Sequence, residues 1–227
     1  MDQNPWPIAS FSLLVSTGKV LMVKSVASSA DAEDLAVDDT GNIFLTGFFK
    51  GASSGKNAGK ALFGNKTLAV TPDNDGRNSA GDVFVAKYNR NFALEWVCSA
   101  AGVGDNNGKG IVVDRQGNVS VTGIFSETIR FGTTSLTANG GKAWKSDLFL
   151  AEFAADGTLL AAGQAGGEDS DNVIGIAAAP DGTRYLTGWF KGPSPRFGKH
   201  SLIAGPRDLF FLVSYPPVGK GTGTGKH

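Results

Sequence analysis

Apolar runs of five to eight residues recur along the chain. They alternate with small or polar side chains and are closed by Gly, Asn, Asp or Ser. This is the period-two pattern of half-buried strands joined by tight turns. One phrase is written three times: VDDTGNIFLTGFF at Val37–Phe49, VDRQGNVSVTGIF at Val113–Phe125 and AAPDGTRYLTGWF at Ala178–Phe190. An internal repeat means one supersecondary unit copied in series, so the chain is read as an array before any single residue is weighed.

Each unit is expected to hold four strands, a to d. In the first, a spans 34–38, b 42–49, c 82–88 and d 92–98; in the second, the ranges are 109–114, 118–125, 147–153 and 158–164. The third has a at 174–179, b at 183–190 and c at 208–215, with no apolar run left for d. Ahead of them, 8–15 and 19–25 flank Ser16-Thr17-Gly18 as a hairpin, so the pattern begins in the middle of a unit. The expected divisions are an N-terminal half-unit over 1–25, repeats over 26–99, 100–164 and 165–215, and a flexible Gly-rich tail over 216–227.

From Asp82 to Gly117 is 35 residues, and so is Asp147 to Gly182; the length difference between units lies between b and c. Fixed strands with one variable connection describe a packed sheet carrying a surface loop. Gly41, Gly117 and Gly182 fall in the a–b turn, where positive φ is cheap only for glycine. Gly47, Gly123 and Gly188 lie inside strand b and predict a bulge or a close neighbour. Phe84, Phe149 and Phe210 are expected to fill the space between sheets, with Ala36, Ala177 and Ala178 near a crowded axis.

Composition agrees with many short strands and tight turns: 32 glycines in 227 residues, with 19% charged residues and 41% hydrophobic ones. With 21 basic and 21 acidic side chains there is no basic footprint for nucleic acid or an anionic membrane. No stretch of about 18 apolar residues predicts a membrane span, and the N-terminal residues lack a signal-peptide pattern. Cys98, the one cysteine, is expected as a small apolar group beside Trp96.

An apolar strand, Asp-x-x-Gly-Asn, a strand ending Thr-Gly-x-Phe, then Phe-Gly, Leu and Asp-Val-Phe-Val-Ala-Lys-Tyr together resemble the SBBP-type β-propeller repeat of bacterial proteins, over roughly residues 27–215. The first unit matches best, Trp96 included. The third departs, with Ala179 in place of the strand-a aspartate and Arg184 interrupting strand b. The resemblance implies an all-β propeller of four-stranded blades, three blade repeats plus an N-terminal half-blade here, and an extracellular or cell-surface location. It carries no shared catalytic set. Propellers close with about four to eight blades. Three cannot close, so the expectation is an incomplete ring or one completed by homo-oligomerisation through the open half-blades.

In an up-and-down blade the d–a and b–c connections emerge on one face. Asp31, Asp34, Asp105, Asn107, Asp169 and Asp171 are expected there, beside the cations Arg130, Lys191 and Arg196. A mixed polar face on a rigid scaffold suits protein or glycan partners. Trp144 and Trp189 are candidates to stack on sugar rings. Calcium is the one cofactor considered, at Asp73 and Asp75 and at Asp169 and Asp171; the first loop departs from an EF-hand at Arg77 and Phe84. The phosphate-loop look of Gly219–Lys226 fails for want of a glycine at the right spacing, and two histidines leave little for zinc or a triad. Asp38 and Asp39 are adjacent and diverge too much for a glycosidase pair. The sequence therefore favours a non-enzymatic binding or scaffold module. Its rival is a polysaccharide hydrolase or lyase with a site on the loop face or in a central channel.

Overall fold

The computed structural model describes residues 10–14, 20–51, 55, 58–72, 81–140, 145–192, 195–202 and 209–217. Every regular element among them is a β-strand. β1 (Ser10–Leu14) and β2 (Val20–Ser25) form an antiparallel pair, followed by β3 (Ala27–Ser28). A four-stranded antiparallel sheet comprises β4 (Ala30–Val37) and β5 (Ile43–Phe49), then, after the hairpin β6 (Lys60–Phe63) and β7 (Lys66–Ala69), β8 (Asp82–Tyr88) and β9 (Leu94–Ala100). The second sheet repeats this core of four: β10 (Asn106–Val113), β11 (Val119–Ser126), then, after the hairpin β12 (Thr128–Phe131) and β13 (Thr134–Thr137), β14 (Ser146–Phe153) and β15 (Leu159–Gly166); two short strands of the third unit extend its β15 edge to make six. The third has β16 (Asn172–Ala178), β17 (Arg184–Phe190), the short pair β18 (Arg196–Phe197) and β19 (His200–Ser201), and β20 (Leu209–Tyr215). It is three-stranded, in the order β16-β17-β20. Among the described residues none of the sheets closes on itself.

The thrice-written phrase is the hairpin of the first two strands of each sheet, and its recurring Asp, Gly, Thr and Phe letters have physical tasks. Gly41, Gly117 and Gly182 turn at φ +83, +81 and +84. Asp114 Oδ1 accepts the backbone N–H groups of Gln116 and Asn118, at 2.9 and 2.8 Å, and Asp38 holds Thr40 and Asn42 likewise. The hydroxyls of Thr46, Thr122 and Thr187 donate to the carbonyls of Phe84, Phe149 and Phe211 on the neighbouring strand. At Gly47, Gly123 and Gly188 an added Cβ would fall on the carbonyl oxygen of Asp31, Asn107 or Asn172, where the first strand bulges. Phe49, Phe125 and Phe190 are fully buried. Asp114→Ala is expected to cost about 1–2 kcal/mol through the lost turn hydrogen bonds. Its melting temperature should fall by roughly 3–6 °C.

The hairpins inserted between the second and third strands are an unanticipated element. Each one clips back onto the unit before it: β6 pairs with β3 through Ala27 and Phe63, Arg130 of β12 bridges Ala101, and β18 pairs with β15 through Ala165 and Phe197. The Phe-Gly marker is the means. Phe63, Phe131 and Phe197 are buried wedges, and Gly64, Gly132 and Gly198 turn the hairpin at positive φ.

Three apolar clusters result. One lies under the first sheet beside β3 and β6, one between the first and second sheets, and one between the second and third. β10 packs beside β4 and β5 on one side and β16 on the other. Glycine makes that approach possible, since a Cβ at Gly108 would overlap the Thr46 hydroxyl and one at Gly110 would come within 2.8 Å of Ile176.

Several expectations are corrected. The first strands start earlier than expected, at Ala30, Asn106 and Asn172, so Asp31 and Asn107 are strand residues and not loop residues. Their polar character hid them, because the bulges at 32–34, 108–110 and 173–175 break the alternation. Ala177 and Ala178 are exposed; the crowded positions are Gly108 and Gly110. Gly188 pairs with Phe211 as Gly47 pairs with Phe84 and Gly123 with Phe149, so Phe211 and not Phe210 fills the inter-sheet position. Arg184 does not interrupt its strand; it begins β17 with its side chain buried.

Candidate functional site

An aspartate stands at the first or second position of the third strand in the first two sheets and ties two connections together. Asp82 is buried; its Oδ2 accepts the Thr71 N–H at 2.6 Å and its Oδ1 the Gly102 N–H at 3.0 Å. The Asn106 amide also donates to Asp82, and its Nδ2 reaches the carbonyls of Gly102 and Gly104. One carboxylate thus joins the connection before β8 to the one after β9. Burial raises its pKa, an effect partly offset by these donors.

The second junction repeats the geometry with one change. Asp147 stands where Asp82 stood, and its Oδ2 accepts both the backbone N–H and the side-chain amide of Asn139, at 2.9 and 2.7 Å. Twenty-four residues on, where the first junction has Asn106, the second has Asp171. Asp171 Oδ2 accepts the Gly167 N–H at 2.7 Å and Oδ1 the Lys191 N–H at 3.0 Å, while the Ser146 hydroxyl donates to its carbonyl. Asp147 is 1% exposed and Asp171 0%. Gly166 separates them: a Cβ there would sit 2.5 Å from Asp147 Oδ1 and 2.8 Å from Asp171 Oδ2. Asp147 Oδ1 is buried without a hydrogen-bond partner.

Two buried carboxyls this close resist joint ionisation. Desolvation pushes Asp147 up to about 6, against the two Asn139 donors. Desolvation also lifts Asp171 to about 7, with the charges of Asp147 and Asp169 adding to it and the Gly167 and Lys191 N–H groups opposing it. Lys145 faces the same loop, its ammonium 2.6 Å from the Glu168 carbonyl and 2.8 Å from Asp169 Oδ1.

The remaining candidates divide by task. Asp34 Oδ2 accepts the Ile111 N–H at 2.9 Å, and Glu33 holds both the Asn107 amide and the Lys109 ammonium at 3.0 Å. These groups staple β4 to β10. Asp105 Oδ1 lies 3.4 Å from the Gly81 N–H. Asp31, Asp105, Arg130, Lys191 and Arg196 have exposed side chains, and the Lys191 ammonium stands 5.1 Å over the ring of half-buried Trp189. Asp73, Asp75 and Trp144 lie outside the described residues. Asp169 and Asp171 are close, but the ammonium of Lys145 engages the first and backbone N–H groups the second. Among the described residues no group of three or more His, Cys, Asp or Glu is arranged to hold a metal ion.

Sequence reasoning also missed an ion pair between sheets, in which Arg184 on β17 meets Glu152 on β14 with both side chains largely buried. Cys98 is half-buried, its Sγ 3.4 Å from the Gly157 carbonyl, and burial pushes its thiol up, with the Asp156 charge adding to the rise.

The molecule is therefore an all-β protein of repeated antiparallel sheets stacked through apolar faces, with its carboxyls gathered where the connections meet. No family model matches the chain, and no curated protein matches it. Among solved structures it is similar to a protein of unknown function from Bacteroides caccae, at 12% identity and a TM-score of 0.30, over 88% of this chain and 68% of that one. No helix among the described residues is long and apolar enough to cross a membrane.

Proposed function

We propose that this chain is a β-propeller-type module of the SBBP-like kind, its sheets being successive blades, and that it works as a non-enzymatic binding or scaffold protein through its loop face. The observation that carries the reading is the pinning of adjacent connections by buried carboxyls. Asp82 fixes the Thr71 and Gly102 backbones, and Asp171 those of Gly167 and Lys191. Connections held this way form a preorganised surface, which lowers the entropic cost of binding. The acids with the most displaced pKa values are sealed from solvent, out of reach of a polysaccharide. What the face offers a ligand is its exposed rim: Asp105, Arg130, Lys191 and Arg196, with Asp31 exposed near the start of the adjoining strand β4. The reading invokes no cofactor. The extracellular or cell-surface setting comes with the family resemblance, and protein or glycan as partner comes from the mixed polar face.

Glycan and protein arrays test this directly. The chain should retain a defined ligand class without releasing reducing ends, and Arg130→Glu combined with Lys191→Glu should weaken retention at least tenfold. Reducing ends that disappear when a carboxylate is replaced would instead assign a hydrolase or lyase.

A further inference from the structure

Each sheet has two faces, and their covering follows a rule. The face of the first sheet with Phe44, Val83 and Val85 is covered by Val119, Val121 and Phe153 of the second. The second sheet's Leu148, Leu150 and Ile124 are covered by Leu186, Phe190 and Phe211 of the third. By strand register, the positions that match Val83 and Val85, and Leu148 and Leu150, are Phe210 and Leu212. These are 75% and 70% exposed. Beside them Ile174 is 64% exposed and Tyr185 42%. The third sheet thus keeps an apolar face of the kind that its predecessors bury.

We propose that this face is a homodimer interface: two copies of the chain pack Phe210, Leu212, Tyr185 and Ile174 against the same four residues about a two-fold axis. The inference is independent of any ligand on the loop face. A head-to-tail copy would need a bare leading face on the first sheet, and that face is already closed. Leu45, Phe49, Phe84 and Tyr88 are buried together with Ala61 and Phe63. Facing the third sheet to itself is the arrangement in which both copies bury what they expose. None of the four side chains is an acid or a basic residue; the cation beside them is Lys191, whose ammonium stands 5.1 Å over the ring of Trp189, the cross-strand neighbour of Phe210. Isologous two-fold contacts are the commonest form of association, and sheets stack face to face about 10 Å apart.

Large side chains at these exposures each offer on the order of 100 Å². Two such faces bury roughly 800–1,000 Å² in total, the low end for specific contacts. The dimer is therefore concentration-dependent.

Sedimentation equilibrium of the full chain from about 1 to 300 μM is the test. A monomer–dimer equilibrium is expected, and Phe210→Lys with Leu212→Lys should weaken it at least thirtyfold. Val23→Lys, at an exposed apolar position on β2, should leave it unchanged. Hydrogen exchange on the unmodified chain gives a reading that needs no variant: protection of β16, β17 and β20 should rise with concentration, and protection of β4 and β5 should not. A chain monomeric throughout the range overturns the proposal. So does a dimer indifferent to the double substitution, or concentration-dependent protection confined to other sheets.

Discussion

Asp171→Asn is expected to stabilise the protein at pH 8 by roughly 3 kcal/mol and to change little at pH 4.5. The scale follows from the shift of one carboxyl by several pH units. Asp147 and Asp171 have folded-state pKa values of about 6 and 7, above the ordinary 3.8. The pair therefore holds protons in the folded state that the unfolded chain releases. The stability this contributes is fully present below about pH 4 and is lost as pH rises through 6 and 7. Burial raises Asp82 and Glu152 in the same direction, so the net decline extends beyond one junction. The charged groups facing the pair are Asp169, which adds repulsion, and the Lys145 ammonium, which is held by Glu168 and Asp169. An asparagine at 171 copies the first junction. Its oxygen can take the Lys191 N–H, its amide can donate as Asn106 does, and the Gly167 N–H is released to the unpartnered Asp147 Oδ1, as Gly102 serves Asp82. The converse change, Asn106→Asp, should install a second carboxyl pair and lower stability at pH 8 by a similar amount. Scanning calorimetry at pH 5 and pH 8 decides. For a chain of this length 3 kcal/mol is about 6–12 °C. An Asp171→Asn protein with the parent's pH dependence would sink the account.

The pair was visible in the sequence in one sense. Asp82 and Asn106 are 24 residues apart, as are Asp147 and Asp171, so aligning the repeats shows an amide exchanged for a carboxyl. Its meaning was not visible, because burial of both groups depends on Gly166 letting two connections close over them. Reading the acids as one loop face joined groups with different tasks: Asp34 binds a neighbouring strand, Asp171 pins its own loop and its neighbour's, and Asp105 faces solvent.

The repeat itself was legible, since turn glycines, bulge glycines and buried phenylalanines answer to local backbone rules that hold in every copy. The inserted hairpins were not. Strands of two to four residues such as Arg196–Phe197 carry no periodicity, and this one pairs with the β15 edge of the preceding unit. Arg184 departs from its expected role for a related reason. A charge inside a strand looks like an interruption until Glu152 on the next sheet supplies its counter-ion.

The sharpest divergence is one residue wide. Asp208-Leu209-Phe210 matches the letters of Asp147-Leu148-Phe149, and the adjacent phenylalanines at 210 and 211 leave the phase open to either reading. A slip of one exchanges the two faces of a strand. In the structure Gly188 lies opposite Phe211, whose ring stacks 4.6 Å from that of Phe190 and meets that of Phe197 at 5.1 Å. Phe211 is 4% exposed, whereas Phe210 points away from all three rings. Phe211→Ala should therefore cost about 3–5 kcal/mol, by lost burial and the cavity left behind. Phe210→Ala should stay within about 0.5 kcal/mol when measured at low micromolar concentration, where pairing of exposed faces does not enter. Urea unfolding followed by tryptophan fluorescence separates the two readings. If Phe210→Ala is the damaging change, the strand sits in the register that the letters suggest and the bare face belongs to Phe211. If Phe211→Ala is, Phe211 fills the space between the second and third sheets and Phe210 lies on the opposite face of β20.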